Sequence, residues 1–323
     1  MKNKGLTISM IIQAQSLNYG EGIGNISELK KFTRGNGYQY TYISRQSLRY
    51  DIVRLGQELF EWKPAKVSKE KGTVQFIDPT IENIPEIDLF GYMKTKTKKG
   101  NKRGKKDEEN EGEEGANNEG GAITRSAVVR LSHAVSLEPF QNDLEFLSNK
   151  GLADRIGEDP NLANIEQHAS FYTYTVTIDL SKVGEDENTN TSLDNERKYE
   201  RISQLLDTIK ILNRNIRGRQ ENLSPLFAIG GVYEISNPFF LGRIEIYCED
   251  GKYLLKTSIL QSVLELEVKG QKVKDLTYIG MVDGIINNSA SVKQLLDNGR
   301  CKDIEGFFET LKKAVSDYYG VNK

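Results

Sequence analysis

Two periodicities run through the chain. Residues 6–12 alternate, with Leu6, Ile8, Met10 and Ile12 on one side and Ile11 on the other, which predicts a mostly buried first strand. Residues 171–180, FYTYTVTIDL, alternate through Tyr172, Tyr174, Val176, Ile178 and Leu180 and predict another. Residues 125–137, RSAVVRLSHAVSL, predict a third, with Val129, Leu131, His133 and Val135 on one face and Arg130 and Ser132 on the other. A lone histidine on an apolar face reads as a hydrogen-bonded structural residue. Helical spacing appears over residues 42–60, where Ser44 is the expected N-cap, Ile43 and Leu48 have staple spacing, and Leu48, Ile52, Leu55 and Leu59 form the core stripe. A second helix is predicted over residues 194–217 on Ile202, Leu205, Leu206, Ile209, Leu212 and Ile216. Lys210, Arg214, Arg217 and Arg219 near its end suit the negative pole of the helix dipole. Strands follow at 226–233 and 242–247, and a tail helix at 304–319 on Phe307, Phe308, Leu311, Val315 and Tyr318. The order strand, helix, strands, helix, strand predicts an α+β fold: a ferredoxin-like or RRM-like core with an antiparallel sheet and two helices packed on one face.

Polar excursions interrupt this core. Residues 16–42 carry glycines at 20, 22, 24, 35 and 37 beside Lys30, Lys31 and Arg34, and predict a long shaped loop with a helical turn at 27–32. Pro64, Pro79 and Pro85 punctuate 63–93, which predicts a small irregular subdomain. Residues 94–122 run from a basic block into an acidic block with no apolar residue larger than alanine before Ile123, a composition that predicts disorder. Residues 140–170 leave one strand and return to the next, with anchors Phe140, Leu144, Phe146, Leu147, Leu152 and Leu162, and predict a protrusion.

Composition narrows the function classes. Hydrophobic residues make up 37% of the 323, low for a compact globule and in keeping with such excursions. The two cysteines, Cys248 and Cys301, suit a reducing cytosol, and with only His133 and His168 they exclude a multi-cysteine zinc site, so neither metal nor other cofactor is expected. No apolar run is long enough to span a membrane, and none reads as a signal peptide, so a cytoplasmic protein is expected. The net charge of -2 argues against a strongly basic body. Local charge says something different. Arg45 and Arg49 stand four apart on one helix face, close to the positive end of the dipole, where they repel each other by about 0.2–0.5 kcal/mol. That arrangement calls for an anion, and phosphate fits both the free backbone N–H groups and the guanidinium forks.

At this point the chain resembles a known family, the DevR-type backbone subunit of the type I-B CRISPR Cascade interference complex, in the RAMP superfamily. The likeness lies in residues 6–53, in DLFGYM, in the segment RSAVVRLSHAVSLEPF and in FYTYTVTIDL; the pattern at Ile43 to Arg49 also resembles more distant backbone subunits. The resemblance implies a subunit without catalytic activity. Several copies would stack head to tail along a crRNA guide, holding its phosphates independently of sequence for pairing with target DNA, beside other Cascade subunits. Ser44, Gln46 and Arg49 match the helix-start motif, and Arg45 joins them on charge; Lys30, Lys31 and Arg34 lie in the loop before it, with Arg125 and Arg130 in the strand leading to the protrusion. The protrusion 140–170 would be the thumb, with Phe140, Phe146 and Leu147 as candidates to wedge between bases. Residues 1–62, 123–139 and 171–323 would form the palm, and 63–122 the fingers. The RNP1 aromatic motif is absent, so contacts would come from loops rather than from the sheet face.

Two other classes compete. A metal-dependent ribonuclease of the same superfamily would need an aspartate in the first long loop, where only Glu21 and Glu28 stand. An enzyme acting on a phosphate ligand would need an acid, base or nucleophile beside the anion site, and no such set accompanies it.

Overall fold

The computed structural model describes residues 4–70, 73–77, 79–95, 122–296 and 299–321. Its centre is the strand Gly5–Gln15, buried on both faces over its first eight residues. Leu6, Ile8, Met10 and Ile12 enter one core and Ile11 another, as the alternation predicts. This strand pairs antiparallel with Ala169–Asp179, Met10 opposite Tyr174, and with Phe227–Tyr233, Met10 opposite Ala228. Ala134–Ser136, Gln39–Ile43 and Lys31–Thr33 extend the sheet on one side, and Thr277–Met281 and Cys301–Lys302 on the other, the last in parallel. The four central strands therefore stand in the spatial order fourth, first, third, second.

Three long helices, Arg45–Phe60, Asn195–Lys210 and Ile304–Tyr319, close one face around a shared core. Sequence predicts two helices there; the tail helix joins them because Gly280 lets Phe307 come close to the sheet. The opposite face is covered as well. Phe239, Phe240, Ile244, Leu255, Leu260 and Leu264 pack against Phe171, Phe227, Ile229 and Ile279. A sheet covered on both sides explains why its strands read as nearly continuous apolar runs.

The single strand expected over 125–137 is three pieces: Ala122–Arg125, Val129–Leu131 and Ala134–Ser136. The last two both pair with Ala169–Asp179, Leu131 opposite Val176 and Val135 opposite Thr173. Four steps on one strand thus match three on its partner, so one extra residue forms a bulge at Ser132 and His133. Ser132 Oγ accepts the Thr175 N–H at 2.9 Å and fixes it. The extra residue flips the faces, so Ala134 goes inward and His133 is exposed, contrary to strict alternation.

Helix ends account for other departures. Leu59 is 43% exposed rather than core, because the chain turns at Glu61, in the left-handed region, and brings Trp62 back beneath the helix. The indole covers Gly56, where an added Cβ would lie 2.4 Å from Trp62 Cε3, and Trp62 Nε1 donates to Gln204 Oε1 at 2.7 Å. Gly56→Ala is therefore expected to destabilise the protein by about 1–3 kcal/mol through overpacking, read as a lower urea midpoint; an unchanged midpoint refutes the packing argument. The second helix stops at Lys210, not at Arg217. Asn213–Ile216 pairs with Arg219–Asn222 across Arg217 and Gly218, both at positive φ, the backbone of a tight hairpin turn.

No helical turn forms at 27–32. Ile26–Ser27 pairs in parallel with Leu162–Gln167, and Lys31–Thr33 pairs with Gln39–Ile43, so tertiary pairing overrides the local pattern. The strand expected at 242–247 starts later, at Ile246–Glu249. Residues 63–93 hold the pair Val67–Glu70 and Thr73–Phe76 and the short helix Pro85–Phe90, with a small core of Ile81, Ile87 and Tyr92. Tyr92–Thr95 and Ala122–Arg125 pair with each other. The charged stretch between them, residues 96–121, lies outside the described residues.

Candidate nucleic-acid interface

The start of the Arg45–Phe60 helix is built by two devices. Ser44, extended at φ -67 and ψ 148, accepts the Ser47 N–H at 3.2 Å, as its N-cap role predicts. The Arg45 N–H, another free donor of the first turn, is met by His133 Nδ1 at 3.1 Å. The bulge and the helix start thus hold each other, and His133 has the structural role expected of it. Its ring also meets Tyr42 edge-on at 5.2 Å.

No acidic residue stands in the helix's first turn. Instead Arg45, Gln46, Arg49 and Arg130 line one hollow of about 430 Å³ together with Phe90, Ala127, Val129 and Leu131. Arg45, Gln46 and Arg130 are exposed, and among the described residues neither arginine's guanidinium has an ion-pair partner. Arg49 differs: its Nη2 meets Glu86 Oε1 at 2.9 Å, and its guanidinium lies 5.1 Å from the Phe90 ring centroid. The repulsion between Arg45 and Arg49, which predicted an external anion, is partly answered by a carboxylate of the chain itself. Cations and an amide over an apolar floor at a helix N-terminus can receive an anion carried on a flat or apolar group.

The remaining candidates lie elsewhere. Lys31 Nζ binds both oxygens of the buried Glu166, at 2.6 and 2.7 Å, and sits 4.5 Å from the Phe140 ring. Glu166 also accepts the Leu29 N–H at 2.7 Å, so this pair ties the first long loop to the base of the protrusion. Lys30 is half-buried, and Arg34, at an exposed hairpin end, stacks 4.3 Å from Tyr40. Arg125 does not join the hollow either. Its side chain is buried against Asp88, Nη2 to Oδ1 at 2.6 Å, and it donates further to the carbonyls of Ile87, Lys182 and Glu185.

Residues 140–170 form a hairpin of Asp143–Ser148 and Leu162–Gln167 around the short helix Lys150–Ala153. Phe146 is 62% and Leu147 39% exposed on it, along with Leu152 and Ile156. Phe140 stands apart, half-buried and edge-on to His168 at 5.6 Å. Below it Thr41 Oγ1 bridges His168 Nδ1 at 2.7 Å and Tyr172 OH at 2.9 Å. Burial holds the His168 imidazole below its usual range and pushes the Tyr172 phenol up to about 12.

Three groups escaped the sequence reading. Asp88 is fully buried and holds Arg125, Arg201 and the Gly184 N–H; its signal was a carboxylate inside the apolar run IDLFGYM. Glu86 gave no signal before its distance to Arg49 was known. The basic residues after Lys210 are a hairpin rather than a helix end: Arg214 pairs with the buried Asp51 at 2.6 Å and Arg217 stacks 4.0 Å from Tyr19. The Arg217-Gly218 turn was the sequence cue.

The chain matches the family model for the CRISPR-associated negative auto-regulator DevR/Csa2 over residues 6–252. A Myxococcus xanthus (strain DK1622) protein named CRISPR-associated protein Cas7/Cst2/DevR is 28% identical over 178 residues, 50% of this chain and 52% of its own, so the chain spans about half the length of that relative. A chain in a solved structure described as a CRISPR RNA-guided surveillance complex, pre-nicking, superposes with a TM-score of 0.54 at 12% identity, covering 95% of this chain and 100% of the other. Another, in a CRISPR RNA-guided surveillance complex, gives 0.53 at 12% with 98% of each covered. At such identity these two likenesses show a shared fold.

Proposed function

Given that the chain belongs to the DevR/Csa2 family of CRISPR-associated proteins, we propose that it is the crRNA-binding backbone subunit of a type I-B Cascade complex. The observation that carries this reading is the meeting of Arg45, Gln46, Arg49 and Arg130 around one hollow at a helix start without first-turn acids. Guide phosphates are the anion that such a site would take in a protein of this family. In this reading several copies stack head to tail on the guide and present it to target DNA, with other subunits at the ends of the assembly. The spatial order fourth, first, third, second of the central antiparallel strands supports a ferredoxin-like palm. The second layer over residues 239–264 covers the sheet face that carries Ile11, Phe171, Phe227, Ile229 and Ile279, which favours contacts from the helix start and loops. The exposed hairpin at 143–167 suits the thumb, with Phe146 and Leu147 better placed than Phe140 to meet a base. Residues 63–95 would correspond to the fingers in this reading, and the rest of that expected segment, 96–121, lies outside the described residues. No helix among the described residues is long and apolar enough to cross a membrane.

The subunit acts in this reading by holding RNA, not by cutting it. Glu21 is exposed and Glu28 half-buried in the first long loop, and no group of three His, Cys, Asp or Glu among the described residues is placed to hold a metal ion. The purified full chain is expected to bring RNA with it, seen in its absorbance ratio. Once stripped, it should bind single-stranded RNA of any sequence with log K falling against log salt by about 0.7 for each phosphate neutralised. A monomer that retains no RNA at low salt would overturn the reading. Cleavage of RNA in magnesium that Glu21→Ala abolishes would establish the ribonuclease instead.

A further inference from the structure

The pairing of Arg49 with Glu86 is unlike the other arginine pairs near it. Arg125 and Asp88 are buried together, 7% and 0% exposed, and no ligand can reach between them. Arg49 is 33% exposed and Glu86 19%, they share one hydrogen bond, and Arg49 lines the hollow. A single contact leaves other guanidinium donors free, whereas phosphate can accept two in parallel. Glu86 is also held in place. It belongs to the six-residue helix Pro85–Phe90, and Asp88, two residues on, is fixed between Arg125 and Arg201. The backbone that carries Glu86 is therefore anchored beside Arg49, a residue of the hollow.

We propose that Glu86 is the resident anion of this site, holding Arg49 in the free protein and yielding it to a phosphate of the RNA. Each copy's grip is then weaker than its cations alone would give. The proposal rests on the RNA-binding reading above and adds a residue that sets affinity by competition. A subunit that assembles along a guide gains from this, because strong individual binding would trap copies out of register, while many weak contacts sum along the strand.

The test uses the full chain stripped of nucleic acid, with a labelled single-stranded RNA as probe. Glu86→Gln is expected to bind about two- to fivefold more tightly at low salt, the range of a partly exposed ion pair, with the log–log salt slope little changed because Arg49 meets the same phosphate in both proteins. In an Arg49→Ala background the same change should give a smaller gain. Glu86→Asp, which keeps the charge but draws it back by one methylene, should fall between the wild type and Glu86→Gln; it gives a second reading should the glutamine variant fold poorly. Unchanged affinity in Glu86→Gln overturns the proposal, and weaker binding means that Glu86 positions Arg49 for RNA. Arg45→Ala separates the two readings. Loss of binding in Arg45→Ala without a gain in Glu86→Gln sinks the Glu86 proposal alone; RNA binding untouched by Arg45→Ala sinks the site assignment, and no binding by any variant sinks both.

Discussion

Asp88→Ala should lower folding stability by about 3–5 kcal/mol, the cost of leaving buried charges without their partner. Two guanidinium groups depend on this one carboxylate, at 2.6 Å each: Arg125 on Oδ1 and Arg201 on Oδ2. Both are 7% exposed, so water cannot replace it. Burial already pulls Arg201 below its ordinary value, and Asp88 is the main opposing influence. The Gly184 N–H, bound to the same carboxylate at 2.9 and 3.1 Å, would be orphaned too. Asp88 thereby joins the Pro85–Phe90 helix to the Asn195–Lys210 helix and to the segment after Ala169–Asp179. Equilibrium urea unfolding measures the loss, and a change below about 1 kcal/mol would mean that the arginines find other partners.

Arg45→Ala combined with Arg130→Ala should leave stability almost unchanged and weaken RNA binding by roughly a hundredfold. Each charge-assisted contact is worth about 1.5 kcal/mol or more, or about tenfold. Both side chains are exposed and neither has an ion-pair partner among the described residues, so the folded protein loses little without them. The loss should be equal for RNAs of different sequence, because phosphates carry no sequence information. Matched losses of stability and binding would show instead that these arginines hold the fold. Arg49 is the contrast: its removal also takes away Glu86's partner and a cation over Phe90, so Arg49→Ala mixes the two effects.

Sequence periodicity was enough for the central elements because their burial is repetitive. Leu6 to Ile12, Tyr172 to Ile178 and the Ser44 cap could be read directly, and the structure has them where the pattern places them, with Leu180 buried in the 3-10 turn that follows the strand. Single-residue events were not legible. The bulge at Ser132 and His133 depends on the register of a partner more than 40 residues away, and it reverses which side chains face inward. Trp62 displaces Leu59 from the core only because Gly56 leaves room, a matter of volume rather than hydropathy. At the candidate site, the combination of charge and family resemblance drew attention to Arg45, Gln46, Arg49 and Arg130, which do line one hollow. It also drew in Lys31 and Arg125, whose carboxylate partners come from distant parts of the chain. A cation's sign is visible in sequence; whether it is already occupied is a tertiary fact.

The central strand has a further consequence, during synthesis. Gly5–Gln15 forms its hydrogen bonds to residues 169–179 and 227–233, so it emerges from the ribosome long before either partner exists. At about 5–20 residues per second, it waits roughly 10–40 s for the second of them. Until residues 169–179 are made both of its edges are open, and one edge stays open until residues 227–233 follow, the kind of apolar segment that chaperones bind and that aggregates when they do not. Yield in the cell should thus depend on how this first strand is shielded while the rest of the chain is made.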